Sequence, residues 1–311
     1  MLISDLIRFK NDLLSEIDEL SLADRAIDEC RAKLVRLKEA NNESITTVEL
    51  FEKINSNIIQ YDNILMQHHQ IKLSIESILT DIDENIVKLA QTVLYNDNYP
   101  FKYNSQRTVT ITEDNLKKVI AAIHQHNDWH YPGVQLTTRD PILTENMVSL
   151  DPLYLCDFDQ SFIDQTSSKF NDQYNMRLRK YLIQNHTLDF LPQGQIGFMI
   201  AWLMFNYTGN DYVVTYLKNI LNCLRSGGVF MFSYNNCDIL ESCQDYEANK
   251  SNYQSKKNLI KLCQEIGYEI IESVDLPNND ELKYVSWMKV KKPGQLTTIK
   301  RHQVLGQLLE K

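Results

Sequence analysis

Apolar residues recur at three- and four-residue steps through the first third of the chain, and this segment contains neither Gly nor Pro from residue 1 to residue 95. Leu6, Leu13, Leu20, Ile27 and Leu34 fall seven apart, with Phe9, Ala23, Cys30 and Leu37 offset by three. A second register runs Ile54, Ile58, Tyr61, Leu65, His68, Lys72, Ile75, Leu79, Ile82, Ile86, Leu89 and Val93. Sustained 3,4 spacing predicts two long helices with coiled-coil-like seams, joined at the polar stretch Ala40-Asn41-Asn42-Glu43-Ser44. Such helices either fold back on one another or pair with like chains. His68 and Lys72 occupy consecutive seam positions, where polar residues fix register at some loss of stability.

After Tyr99-Pro100 the pattern changes. An amphipathic helix carries Leu116, Val119, Ile120 and Ile123, and Pro132-Gly133 ends that segment. Strands are then expected at Val134–Thr138, Leu153–Cys156, Leu188–Leu191, Ile196–Ala201, Val229–Tyr234, Tyr268–Val274 and Tyr284–Val290. Helices are expected at Ile142–Leu150, Ile163–Tyr181, Tyr212–Leu224 and Lys256–Ile266. Alternation of this kind implies a mostly parallel, doubly wound α/β sheet covered on both faces, with the last strand inserted antiparallel. The expected organisation is a helical arm at 1–95, a linker with one helix at 96–131, an α/β domain at 132–292 and a tail at 293–311.

Composition narrows the chemistry. Among 311 residues, 32 Lys plus Arg against 41 Asp plus Glu give a net charge of −9, which argues against nonspecific nucleic-acid binding. No apolar run approaches the roughly 20 residues that span a bilayer, and the N-terminus MLISDLIRFKNDLL interrupts any signal-peptide core with charge. No membrane association is expected. The six cysteines include no CxxC pair and read as buried thiols. His124, His126 and His130 are spaced H-x-H-x-x-x-H, but a two-residue step splits the first two between helix faces, so no metal site is expected. Only 9 residues are Gly, about half the usual share, which leaves little for a glycine-rich phosphate loop.

Residues 216–238, YLKNILNCLRSGGVFMFSYNNCD, resemble the segment of class I S-adenosylmethionine-dependent methyltransferases in which a helix ends in Leu-(Lys/Arg)-Pro-Gly-Gly and leads into the fifth strand. Residues 257–272, KNLIKLCQEIGYEIIE, are similar to the helix, Gly-(Tyr/Phe) turn and sixth strand that follow. The resemblance covers roughly residues 132–292. The C-terminal region, including KKPGQLTTIKRHQVLGQ, also looks like methyltransferase-like proteins carried by large tailed bacteriophages.

The resemblance implies S-adenosylmethionine as cofactor, bound beyond the C-terminal ends of the strands. It assigns Asp157, with Asp159 next, to the ribose hydroxyls. It assigns Asp189 and Phe190 to the adenine side, and Trp202 to the closure over the methionine part. The family's Gly-x-Gly loop corresponds to residues 134–141, where Thr137, Thr138, Arg139 and Asp140 stand and no glycine occurs. β-Branched Thr137 and Thr138 resist positive φ. Asp159 can equally cap the following helix. Substrate-side candidates are Asn206, Tyr207, Asn235 and Asn236; methyl transfer needs chiefly positioning, so the catalytic residue stays unknown. Two readings result: a methyltransferase with a departed glycine loop and unknown acceptor, or a catalytically silent structural module of a phage virion. Either way residues 1–95 are expected to join like chains or other structural proteins, in the cytoplasm of a host cell or in a virion assembled there.

Overall fold

The computed structural model describes residues 2–41, 48–94, 111–184, 186–248, 250–278 and 282–295. The chain divides into two compact units, Met1–Tyr95 and Asn96–Lys311. Among the described residues no helix is long and apolar enough to cross a membrane.

The first unit is a pair of long helices, α1 (Ile3–Asn41) and α2 (Val48–Leu94). Ion pairs fix their direction: Lys10 reaches Asp83 at 2.5 Å, Arg31 reaches Asp62 at 2.6 Å, and Asp24 receives both His68 at 2.7 Å and Lys72 at 2.6 Å. As the number on α1 rises its partner's falls, so the helices run antiparallel within one chain. Leu6 and Leu13 of the seven-residue series are buried, as are Ile54, Ile75, Ile82 and Ile86. Leu20, Ile27 and Leu34 are half-buried, whereas Phe9, Cys30 and Leu37 of the offset series are exposed. His68 and Lys72 thus meet one carboxylate across the seam. This is a polar layer that penalises any slip of one helix along the other.

The second unit begins with α3 (Glu113–His124), whose Val119, Ala122 and Ile123 join the core cluster around Leu143, Leu155, Phe198 and Trp202. The helix expected in a linker therefore belongs to the body. Seven strands follow: β1 (Gly133–Leu136), β2 (Leu153–Asp157), β3 (Leu178–Leu182), β4 (Ile196–Ala201), β5 (Leu224–Tyr234), β6 (Glu269–Pro277) and β7 (Tyr284–Lys291). Their order is β3-β2-β1-β4-β5-β7-β6. β1 to β5 are parallel, and β7 enters antiparallel between β5 and β6. Helices α4 (Pro141–Glu145), α5 (Gln160–Ser167), α6 (Asp172–Asn175), α7 (Asn210–Cys223), α8 (Leu240–Glu247) and α9 (Lys256–Ile266) lie between the strands. Every residue of β4 is buried, and Phe230 and Phe232 of β5 have no exposed surface, as expected of central parallel strands.

Several expectations are corrected. The helix expected at Ile163–Tyr181 stops at Ser167, because Asn171 caps a new short helix by accepting from Tyr174 N at 2.9 Å. The third strand is Leu178–Leu182, and Leu188–Leu191 is a turn whose Leu188 and Leu191 are buried without pairing. Arg179 and Lys180 consequently sit exposed on an edge strand, where charge discourages pairing with another sheet. The helix expected at Ile142–Leu150 ends at Glu145, and α8 had no counterpart in the expected pattern. Gly227, with φ +74°, lies inside β5, where the register against β4 jumps from Ile196/Leu224 to Phe198/Val229. The glycine pair therefore makes a bulge rather than a helix exit. Gly267 does close α9 at φ +110°. The tail beyond Gln295, with Lys300 and Arg301, lies outside the described residues.

The polar layer yields a prediction. The Asp24 carboxyl is held below the ordinary carboxylate range, chiefly by the hydrogen bond from Lys72 and then by that from His68. A depressed folded-state pKa means that its stabilisation is present above the unfolded value and lost as pH falls through the folded one. Wild type should therefore exceed Asp24→Asn in thermal midpoint, by circular dichroism, above about pH 5. The difference should shrink as acid protonates Asp24.

Candidate functional site

In an open parallel sheet the ligand end is where the strands finish and order reverses, here between β1 and β4, with β2 on the other side of β1. β1 stops at Leu136, and Thr137 takes φ +68°. Left-handed backbone costs an L-residue about 1–2 kcal/mol and is unusual for a β-branched one. Three hydrogen bonds hold it there. Thr137 N donates to Cys156 O at 2.7 Å, Thr137 Oγ1 donates to Trp202 O at 2.7 Å, and Gln135 Nε2 donates to Thr137 O at 3.1 Å. Gln135 is itself buried in β1 and steadied by Thr144 Oγ1.

Thr138 follows with no exposed surface. Its backbone N donates to Asp157 Oδ2 at 2.6 Å, its Oγ1 donates to the same oxygen at 3.2 Å, and its carbonyl accepts from Thr166 Oγ1 at 2.6 Å. The other oxygen of Asp157 accepts from Phe158 N at 2.7 Å and Asp159 N at 3.2 Å. Asp157 ends β2 fully buried. Burial pushes its pKa up from the ordinary value, against the lowering by the N–H groups of Thr138, Asp159 and Phe158. The backbone polar atoms of Thr137 and Thr138 are thus all bonded inside the protein, and the carboxylate that resembles a ribose acceptor binds its own loop.

The neighbouring strand end is strained in the same way. Leu203, two residues beyond β4, has φ +58°, and its N donates to Ser233 Oγ at 2.6 Å. Ser233 Oγ in turn donates to Asn206 Oδ1 at 2.8 Å, and Asn206 O accepts from Asn252 N at 2.7 Å. His186, beyond β3, is the third non-glycine residue at positive φ among those described; it stacks on Tyr212 at 3.9 Å and meets Tyr216 Oη at 3.0 Å. All three stand at the C-terminal ends of parallel strands.

Thr137, Thr138, Asp157 and Trp202 come together. Asp140 and Asp159 are helix caps: Asp140 accepts from Ile142 N at 3.2 Å and opens α4, and Asp159 accepts from Ser161 N at 2.9 Å and opens α5. Burial raises the Asp140 pKa. Arg139 lies over the Phe162 ring at 4.9 Å. Asp189 is exposed and Phe190 stacks on Tyr181 at 4.8 Å, both in the turn that replaces the expected third strand. Asn235 Nδ2 donates to Ser242 O at 2.9 Å, and Asn236 Nδ2 donates to Asp275 Oδ1 at 3.0 Å; both residues are buried, while Tyr207 is half-buried. Of the three histidines, His124 meets Asn146, His126 stacks on Phe198 and His130 meets Asp128. Gln135, Thr166 and Ser233 were missed. Each is a polar residue buried beside the strand ends, and Gln135 and Ser233 interrupt otherwise apolar strands, which was the available signal.

No protein-family model and no curated protein matches the chain. Among solved structures it is similar to an S-adenosylmethionine-dependent methyltransferase from Mesorhizobium loti, at 11% identity, 56% of this chain, 96% of that one and a TM-score of 0.46. It is also similar to the N-methyltransferase NodS from Bradyrhizobium japonicum in complex with S-adenosyl-L-homocysteine, at 12%, 66%, 97% and 0.47. For the [4+2]-cyclase SpnF the values are 10%, 64%, 86% and 0.48. The second unit is a doubly wound, mostly parallel α/β sheet with β7 inserted antiparallel. At these identities and scores the likeness says nothing of this chain's chemistry.

The strain at Thr137 is measurable. Glycine accepts φ +68° and alanine does not, so Thr137→Gly should be more stable than Thr137→Ala by about 1 kcal/mol in urea unfolding, although glycine ordinarily weakens a strand end. Equal stability, or alanine ahead, would mean that Thr137 is not left-handed.

Proposed function

We propose that this protein is a methyltransferase-fold module that presents no open S-adenosylmethionine pocket and serves as an assembly component, with the helical pair making its contacts to like chains or to other structural proteins. The observation that carries this reading is the Asp157 carboxylate, fully buried and bonded on both oxygens to the chain's own N–H and hydroxyl groups. The residues present do not fit the cofactor in the family's pose. A ribose needs the acceptors that Thr138 occupies, and the methionine part needs backbone where the side chains of Thr137 and Thr138 are packed. The arm supports the assembly role: Ile59, Met66 and Leu73 recur seven apart on α2 and are 61%, 58% and 51% exposed, an apolar series that the antiparallel pair leaves uncovered. The phage-like wording of the C-terminal region supports a virion, or the host cytoplasm in which one is built, as the setting.

A second reading is an S-adenosylmethionine-dependent methyltransferase with an unknown acceptor, with Asn206, Tyr207, Asn235 and Asn236 on the substrate side. Left-handed Thr137 and Leu203 favour it, since backbone strain gathers at working sites. It requires residues 137–140 to leave Asp157.

Calorimetry separates the two. The first reading expects no heat from the full chain with millimolar S-adenosylhomocysteine. Saturable binding that Asp157→Ala weakens by about 1.5–3 kcal/mol would replace it with the second. For the arm, the triple variant Ile59→Glu, Met66→Glu, Leu73→Glu should lower the mass seen by light scattering while helicity is kept; an unchanged oligomer would remove this stripe from the contact.

A further inference from the structure

The outer face of α2 is unlike a helix face left in water. At about 100° per residue Met66 points about 180° away from buried Ile75 and lies opposite His68, which meets Asp24 of α1. The series Ile59, Met66 and Leu73 therefore runs along the side of α2 turned away from α1. Within about 60° of the line through Met66, the stretch from Asn55 to Thr80 carries two ionisable side chains, Asp62 and His69. Its other members are amide, hydroxyl or apolar. Charge thinned out around exposed apolar side chains is the composition of an interface core.

The face is complementary to itself. Ile59 and Leu73 stand seven residues either side of Met66. Two copies of α2 laid antiparallel about a twofold axis at Met66 set Met66 on Met66 and each Ile59 on the other copy's Leu73. Asp62 and His69 lie on one flank of the stripe, about 40° and 60° from Met66, and Asn63 and Gln70 lie at matching angles on the other. All four are exposed. A twofold axis across the helices keeps each flank against its own kind, so Asp62 meets His69 of the second copy and Asn63 meets Gln70 of the second copy, each pair occurring twice. An imidazole N–H donates to a carboxylate, and side-chain amides both donate and accept. Arg31 of the same chain holds Asp62 at 2.6 Å, so that carboxylate is positioned before a partner arrives.

A parallel pair in register would instead set Asp62 beside Asp62 and His69 beside His69, and would align Glu52 and Glu84 with their own copies. Charge thus selects the direction as well as the partner. We propose that α2 pairs with α2 of a second copy of this chain, antiparallel about Met66, leaving the two α1 helices on the outside of a row of four. The pairing rests on the assembly reading of the arm and names its partner.

Light scattering on the full chain, with disulfide trapping, provides the test. Wild type should be a dimer. With exposed Cys30 replaced by Ser, Met66→Cys should link to itself under air oxidation with copper-phenanthroline. Ile59→Cys alone and Leu73→Cys alone should not, and a mixture of those two should link to each other. His69→Asp, which sets carboxylate against carboxylate, should weaken the dimer about tenfold relative to His69→Lys. A monomeric wild type, Ile59→Cys linking to itself, Met66→Cys failing to link, or His69→Asp no weaker than His69→Lys would each overturn the pairing. A monomer would leave the assembly reading standing with a different protein on the arm, whereas saturable S-adenosylhomocysteine binding would remove that reading and leave a trapped dimer intact.

Discussion

The hydrogen bonds from Thr138 to Asp157 are the constraint on which the ligand end of this sheet depends. A buried carboxylate is costly unless its oxygens are bonded, and here the loop that follows β1 supplies those bonds from its own backbone and hydroxyl. The consequence propagates outward. To present Thr138 to Asp157 the chain must turn at Thr137, and the turn is left-handed, which costs energy that the bonds to Cys156 O and Trp202 O offset. That second bond ties the end of β1 to the end of β4. There Leu203 repeats the device, through Ser233 to the end of β5. Four strand ends, those of β2, β1, β4 and β5, are fastened by one chain of polar contacts, in the place where an open α/β sheet ordinarily receives a ligand.

Strain and closure therefore have one cause. A glycine at residue 137 would turn without penalty but would carry no hydroxyl to bridge to Trp202. The threonine accepts an unfavourable backbone in exchange for a bond between strands. The sheet is seven-stranded, with β7 inserted antiparallel, and the residues beyond the ends of its parallel strands bond one another. Chemistry resides in a site and not in its scaffold, so these bonds, more than the strand order, decide what the strand ends can do.

What was legible in the sequence follows from where each signal is local. The short apolar runs of β4 and β5, flanked by glycines and rich in Ile, Val and Phe, read as buried strands, and the seven-residue series of the arm exposes long helices directly. β3 was not legible, because an edge strand written Leu-Arg-Lys-Tyr-Leu carries the charges of a helix surface, while Leu188 and Leu191 imitate a strand by filling core from a turn. The absence of glycine at 134–141 was visible, and so was Asp157 at a strand end. That the two facts are one, with the glycine-free loop bonded to that aspartate, depends on a contact between residues 19 apart, which no periodicity records.

Amide hydrogen exchange at Thr138 tests the central claim most directly. If its N–H is bonded to buried Asp157 as part of the finished core, it should exchange as slowly as the amides of β4 and β5, and millimolar S-adenosylhomocysteine should leave that rate unchanged. Rapid exchange in the free protein that slows when the cofactor product is added would show a loop that waits for a ligand, and would contradict the closed site.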